Sequence, residues 1–384
     1  MKSTIGLKLI ICFILLASAI LQYNQDIHNS PYPSKYSYLL NNSEVPLTQI
    51  KQEFDLPLPL TDDKVSDKDI DWAIKYLRLP EWSSGYVNCR DYQKLTPEQK
   101  NSTNHIFEVS CFEIYRAAKT IQNWEENVEK GQTIGEVFVD SNPDQFHSAE
   151  DFANTMSMLY HGIQIAIAYN RKLTTILNQY ESGGLKLPTV IKNYSDSKTE
   201  LYPLPTDFQY NSVKFDRIPP NNTIVIKTVS WPQCFYTNHL IAPFLRANFG
   251  YHAAYFLGNY LFGSSSKPSL PDPIEYGIEG FLFSGPGMNP PQTFHDKFPR
   301  CGFQSTDSIM ITNDLNFAGN QTTFYKKVII FNLDKPEERS KMLYTLMSSK
   351  KIAQTFGSVL GFWSNAMQGR KGFYINAIDN ICVN

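Results

Sequence analysis

The chain carries no strong charge of either sign. Its 384 residues hold 35 Lys and Arg against 37 Asp and Glu, a formal net charge of −2. Nothing electrostatic therefore argues for nucleic acid or for an acidic partner. Catalytic signatures are absent too: there is no GxSxG elbow, no Walker loop and no HExxH helix, so a hydrolase or P-loop reading has no motif behind it. No CxxC pair and no Cys/His spacing suggests zinc, and the seven histidines are scattered. The expectation is a protein with neither metal nor cofactor. No repeat or low-complexity tract interrupts the chain.

What is present starts at the N-terminus. Lys2 and Lys8 flank "LIICFILLASAIL", Leu9 to Leu21, a nearly unbroken apolar run of 13 residues. That length suits a signal-peptide core, with Ala17-Ser18-Ala19 as a small-residue cleavage site; counted from Ile5, it also suits a signal anchor. On either reading residues 1–22 direct the remainder into the secretory lumen. Asn-x-Ser/Thr acceptors at Asn41, Asn101, Asn193, Asn221 and Asn320 agree and place those stretches on the surface. Beyond the leader stand Cys89, Cys111, Cys234, Cys301 and Cys382; in an oxidising lumen some of them pair, and the odd number leaves one over or joined to another chain. The 22 Tyr and 25 Phe suit planar or sugar-like ligands, and equally a generously packed core.

Residues 23–65, polar and proline-rich, read as a stem. "DKDIDWAIKYL" from Asp67 reads as a helix with an acidic first turn; Asp67, Asp69 and Asp71 also offer the carboxylates of a metal-nucleotide site. In "DFANTMSMLYHGIQIAIAYNRKLTTIL", Phe152, Met156, Leu159, Ile163 and Ala166 form one helical stripe. Asn170 suits a left-handed stop, and Leu173 to Leu177 a buried strand. Two helical stretches follow in "NHLIAPFLRANFGYHAAYFLGNYLFG", and the Ser/Pro-rich break after them, near residues 263–273, marks a domain boundary. Strands then alternate with helices: "IEYGIEGFLF" from Ile274, "SIMIT" at 308–312, "KVIIFN" from Lys327, a helix in "DKPEERSKMLYTLMSS", a strand at 351–355, a helix, and "KGFYIN" from Lys371. Such alternation implies a parallel, doubly wound α/β sheet.

In such sheets ligands bind beyond the carboxyl ends of the strands. "QTFGSVLGFW", from Gln354, fits that place: the strand ends near Thr355, Gly357 lets backbone approach a ligand, and Ser358 and the first-turn N–H groups can hold a phosphate. Thr355 and Ser358 read equally well as helix caps. Val359, Leu360, Trp363, Ala366 and Met367 make the buried face. His161, inside a long helix, reads as a packed residue or as a base; His252 and His295 are similarly open.

Three segments resemble one family. "TFGSVLGFWSNAMQGRKGFYI" resembles the closing motif of the α-1,2, α-1,6 and plant xyloglucan fucosyltransferases, in which a T-x-G-S turn and helix precede a final strand. "SAEDFANTMSMLYHGIQIAIAYNRKLTTI" resembles their first motif, with Asn154, Ala166, Asn170, Arg171 and Leu173 in step and its glycines absent. "AAYFLGNYLFGSSSKP" is similar to a stretch of the plant enzymes, with Asn259 where an Arg stands there. Together these run in order from about residue 147 to the end.

The resemblance implies a GT-B-like fold of two Rossmann-like domains with parallel sheets facing a cleft: an acceptor-side domain at 66–265 and a nucleotide-sugar domain at 266–384. It also implies a Golgi or endoplasmic reticulum membrane protein with a lumenal domain, secreted if the leader is cleaved. The partners would be GDP-fucose and a glycan or glycoprotein acceptor, the membrane being met only through the N-terminal segment. Thr355, Phe356, Gly357, Ser358, Thr312 and Asp314 would contact the donor. The family's diphosphate-balancing Arg has no counterpart: the matching stretch, "EYGIEGFLFSGPG", carries Glu279. Arg300 or Arg370 would have to substitute. The base candidates are Glu150, Asp151, Glu279 and His161. Three readings follow: an inverting, metal-independent fucosyltransferase and, as alternatives, a silent binding protein on the same fold or a transferase using another nucleotide sugar.

Overall fold

The structure, a computed structural model, describes residues 65–80, 89, 96–98, 109–141, 149–195, 199–204, 213–227, 238, 240–263, 276–279, 309–312, 325–332, 335–347, 351–355, 359–369, 373–375 and 382–383. The leader and nearly all of the stem lie outside these residues. Among the described residues no helix is long and apolar enough to cross a membrane.

Helix α1, Asp67–Tyr76, begins where the acidic turn predicted it. Ser66 caps it, its Oγ accepting the Asp69 N–H at 3.2 Å and donating to Asp69 Oδ2 at 2.6 Å. One of the three aspartates is thus spent on the cap. Helix α2, Cys111–Glu129, was not read from the sequence, although Ser110 and Glu113 close a reciprocal capping box at its start. Cys111 is bonded to Cys89, with Cα atoms 5.2 Å apart.

A first sheet follows, built from β1 (Glu136–Val139), β2 (Lys172–Thr175), β3 (Lys192–Asn193), β4 (Leu201–Pro203) and β5 (Thr223–Ile226). Its order is β3-β2-β1-β5-β4 and every pairing is parallel. Helix α3, Ala149–Ala168, joins β1 to β2. Its Gly162 lies so close to the sheet that a Cβ there would come within 2.6 Å of Val139 and 2.9 Å of Leu173. Asn170 ends the helical run in the left-handed region, φ 47°, as its residue type predicted. The strand is shorter than expected, because Leu177 opens helix α4, Leu177–Ser182. Helices α5 (Ile241–Phe249) and α6 (Ala253–Phe262) occupy the two helical stretches read before the break; residues 264–275, where the boundary was placed, lie outside the described residues.

The second sheet holds β6 (Tyr276–Glu279), β7 (Ile309–Thr312), β8 (Lys327–Ile330), β9 (Lys351–Thr355), β10 (Phe373–Ile375) and β11 (Cys382–Val383). Numbered from β6, the order β8-β7-β6-β9-β10-β11 is the 3-2-1-4-5-6 of a Rossmann sheet, parallel except for β11. Helix α7 spans Pro336–Met347 and helix α8 Val359–Ala366. The α/β class is thus realised as two parallel sheets within one unit, Leu56–Asn384.

Every residue of α8 is buried, not only the face read from the sequence. A helix buried all round must be covered all round, and here α3, α7 and α6 cover it. Trp363 donates from Nε1 to Ser157 Oγ of α3 at 3.0 Å and meets the Tyr160 ring edge-on, centroids 5.1 Å apart. Asn259 of α6 donates to the Met367 carbonyl at 2.7 Å. Gly258 is nearly in contact with Trp363, a Cβ there lying 3.0 Å from Cζ3.

Candidate functional site

The strand order of the second sheet reverses between β6 and β9. In a parallel sheet that reversal opens a crevice outside the carboxyl ends of those two strands, because the connections leave on opposite faces. Glu279 is the last residue of β6 and stands in register with Gln354, one residue before Thr355. On the other side Glu279 pairs with Ile311, one residue before Thr312. Three of the residues singled out from the sequence thus end adjacent strands within one register step of each other.

The Thr312 side chain is fully buried, and its carbonyl accepts from Phe331 N–H at 3.0 Å. Helix α8 starts four residues beyond Thr355. Its first turn supplies backbone N–H groups that no helical carbonyl satisfies, at the positive end of the helix dipole. Phe356, Gly357, Ser358, Asp314, Arg300, Arg370 and His295 lie outside the described residues, as do Asn41, Asn101 and Asn320. Asn193 and Asn221 are exposed, and Asn193 Oδ1 accepts the Leu177 N–H at 3.1 Å.

The two sheets are joined through the helices that leave them. Gly184, just past the short helix that leaves β2, packs against Ser340 in the second turn of α7, a Cβ there coming within 2.4 Å of Oγ. Trp363, also in the second turn of its helix, meets Ser157 and Tyr160 of α3, which leaves β1. At about 1.5 Å per residue, Ser340 and Trp363 each sit roughly 6 Å from a helix start.

His161 is fully buried within α3 beside the Tyr160 ring, centroids 5.8 Å apart, which suits the packed histidine of the two sequence readings. His252 is half-buried at the start of α6 and meets the Phe256 ring edge-on. Asp151 lies in the first turn of α3, half-exposed, its carbonyl accepting from Thr155 Oγ1 at 3.0 Å. Of the residues carried by the first-motif resemblance, Asn170 and Arg171 do structural work. The Arg171 guanidinium donates to the carbonyls of Asn222 at 2.6 Å and Pro219 at 3.1 Å, and burial pushes its pKa down from the ordinary value. Trp124 donates to the Arg171 carbonyl at 2.9 Å.

The sequence reading missed a second polar cluster, at the carboxyl ends of the first sheet: Asp140, Ser141, Gln179 and Lys227. The signal available was "GEVFVDS", a short apolar run ending in Asp and Ser. Three apolar residues, Val137 to Val139, do not distinguish a strand from other buried segments.

No family model matches the chain, and no curated protein matches it. Among solved structures it is similar to a mutant of Arabidopsis thaliana FUT1 in complex with GDP, at 13% identity and a TM-score of 0.49, over 80% of this chain and 88% of that one.

Proposed function

We propose that this chain is a glycosyltransferase of the secretory pathway that holds GDP-fucose at the β6–β9 crevice and passes fucose to a hydroxyl of a glycan or glycoprotein, with inversion and without a metal. One observation carries the reading: the Rossmann order of the second sheet brings Glu279, Thr312 and Thr355 together at its switch point, beside the start of a wholly buried helix. That is where such a sheet takes a nucleotide, its phosphates against helix N–H groups. Thr355, Phe356, Gly357 and Ser358 would line the diphosphate, with Thr312 and Asp314 toward the nucleoside. The order of the three sequence motifs supports the same family.

In the reaction the acceptor oxygen forms its bond to the anomeric carbon as the bond from that carbon to the diphosphate breaks. The electron pair leaves with the diphosphate, and a base takes the hydroxyl proton. Fixed positive charge or dipoles must meet the leaving group; the first turn of α8 can supply part of this. Glu279 favours a second reading. A carboxylate at the end of the central strand opposes a diphosphate, which suits a relative that binds a nucleotide and leaves it intact.

Thermal melting of the full chain with GDP, UDP, CMP and their sugars tests both. A ligand at about a hundred times its Kd raises stability by roughly 2.7 kcal/mol. A shift with GDP and GDP-fucose, followed by release of GDP from the sugar, is expected for the transferase. The same shift with the donor left intact selects the binding protein, and a shift only with UDP or CMP sugars selects another donor. No shift with any nucleotide removes both readings and leaves the turn before α8 as a helix cap.

A further inference from the structure

In a parallel sheet covered by helices, strands are buried on both faces. β1, β2 and β5 follow that rule, each with its last three residues buried. β4 does not. All three of its residues are exposed, although it pairs with β5 in full register, Leu201 with Thr223, Tyr202 with Ile224 and Pro203 with Val225. Leu201 is 51% exposed and Tyr202 40%. Successive residues of a strand point to opposite faces, so apolar surface is open on both sides of β4. This strand also ends the sheet order. Pro203 removes one ladder donor but leaves both apolar side chains bare. An uncharged apolar edge of this kind invites pairing with another chain. The other edge, β3, is two residues long and carries the exposed Lys192, itself a guard against such pairing.

An acceptor for a covalent cover stands beside this strand. Residues 219–222 form a turn, closed by the Asn222 N–H donating to the Pro219 carbonyl at 3.1 Å, with Pro220 where its fixed φ fits. Asn221, which opens an Asn-x-Thr sequon, sits at the exposed tip. The Arg171 guanidinium holds the turn through the Pro219 and Asn222 carbonyls. The turn is also tied to the start of β4: the Thr223 N–H donates to the Glu200 carbonyl at 2.9 Å, and Asn222 Nδ2 donates to Glu200 Oε2 at 3.4 Å. With strands about 4.8 Å apart and a rise of about 3.3 Å per residue, the Asn221 backbone lies roughly 8 Å from that of Leu201. An Asn side chain and the first two rings of an N-glycan span that gap.

We propose that Asn221 carries an N-glycan whose inner N-acetylglucosamine rings lie along β4 and keep a second copy of the chain from pairing with it. The apolar C–H faces of those rings match Leu201 and Tyr202, and the outer glycan fills the space a new strand would take. In the attachment, Asn221 Nδ2 bonds to the anomeric carbon of a lipid-diphosphate oligosaccharide as the bond from that carbon to the phosphate oxygen breaks. The electron pair leaves with the diphosphate, and a base takes the amide proton. Thr223, whose hydroxyl the sequon requires, is fully buried, with Oγ1 2.7 Å from Thr199 Oγ1. The glycan is therefore added before β5 enters the sheet and is in place when the β4 edge forms. Passage through the secretory lumen is required for this cover; nucleotide binding and fucose transfer are not.

The full chain, made in a secreting eukaryotic cell and purified in detergent, is digested and its peptides mass-mapped for glycans at all five acceptors. Asn221 is expected to be modified in most chains. Sedimentation velocity of the intact protein then reads self-association, in Asn221→Gln and in wild type treated natively with a peptide-N-glycosidase. Loss of the glycan by either route is expected to give a concentration-dependent species of about twice the wild-type mass, and Leu201→Lys in the same background to abolish it. The melting temperature reports whether each variant is folded, and the enzymatic route serves where Asn221→Gln is not secreted. An unmodified Asn221 beside other modified acceptors overturns the proposal; no modification at any acceptor removes the secretory reading as well. Sedimentation that is unchanged without the glycan overturns it too, as does an association that Leu201→Lys leaves intact.

Discussion

Arg171 shows how a residue can look like part of a motif and yet be spent on the fold. The residue is 2% exposed, and its guanidinium ties the turn before β5 to the end of α3 through two carbonyls. Gly135 must be small for this to happen, since a Cβ there would lie 2.6 Å from Arg171 Nη1 and 2.1 Å from the Pro220 carbonyl oxygen. Arg171→Met keeps most of the volume and strips both carbonyls of their donors. It should cost about 2–4 kcal/mol, since hydrogen bonds to charged groups contribute about 1.5–3 kcal/mol each and buried acceptors left unmet add to the loss. Urea denaturation of the variant against wild type measures it. Glu279 belongs to the other kind of residue, placed by its strand at the candidate nucleotide crevice. Under the proposed function, Glu279→Gln should tighten GDP binding several-fold, because one like charge is removed near the diphosphate, an effect on the order of 1 kcal/mol. Calorimetric titration with GDP checks it, and an unchanged Kd would place the nucleotide elsewhere.

At the scale of elements, the second half of the chain was the legible one. Apart from the short antiparallel β11, its strands and helices were read in order, with ends within a few residues, because turn and capping residues separate them and their alternation is regular. The first half hid α2, α4, β1, β3, β4 and β5. The Ser110–Glu113 box announces α2, but β1 and β5 are four-residue strands of one polar and three apolar residues with no period of their own. The polar stripe of α3 was equally opaque. Ser157, Tyr160, His161 and Gln164 are all fully buried, although their spacing suggests a wet face. Ser157 and Tyr160 are buried because Trp363 of α8 lies against them, more than 200 residues later in the chain. This junction has no spare room at Gly258, where a Cβ would be 3.0 Å from Trp363 and 3.2 Å from Met367. Gly258→Ala therefore sets a gain in helix propensity of up to about 1 kcal/mol against overpacking of about 1–3 kcal/mol, and a net loss of stability is expected in thermal melting. An increase would mean that α8 has room to shift.

For the whole molecule, two links tie α2 to its neighbours. Cys89–Cys111 closes a loop with a sequence separation of 22, which by chain entropy contributes roughly 3 kcal/mol; Cys89→Ala with Cys111→Ala should lower stability by about that amount in denaturant titrations. Glu125 of α2 accepts from Tyr76 of α1 and Tyr260 of α6. Burial first, then the charge of Glu125, raises both tyrosines above their ordinary value of 10.0, and burial likewise raises Tyr180 and Tyr325. The sign follows from linkage: above about pH 10 the unfolded chain loses phenolic protons that the folded chain retains. Stability is therefore complete below that pH and falls as pH rises through it toward the raised folded values. Urea midpoints between about pH 8 and pH 11 should show the fall, and Tyr76→Phe with Tyr260→Phe should flatten it.

By itself the sequence determined the α/β class, the alternation of the second half, the left-handed stop at Asn170 and the oxidised cysteine chemistry realised at Cys89–Cys111. Each of these is written in local terms: period, cap, turn residue or residue type. Only the tertiary structure decided which strand lies beside which. Strand order is set by which faces can be covered at once, and no window of sequence contains it. That order brings Glu279, Thr312 and Thr355 to one crevice and sets the exposed β4 at an edge, and it buries His161, which sequence alone left open.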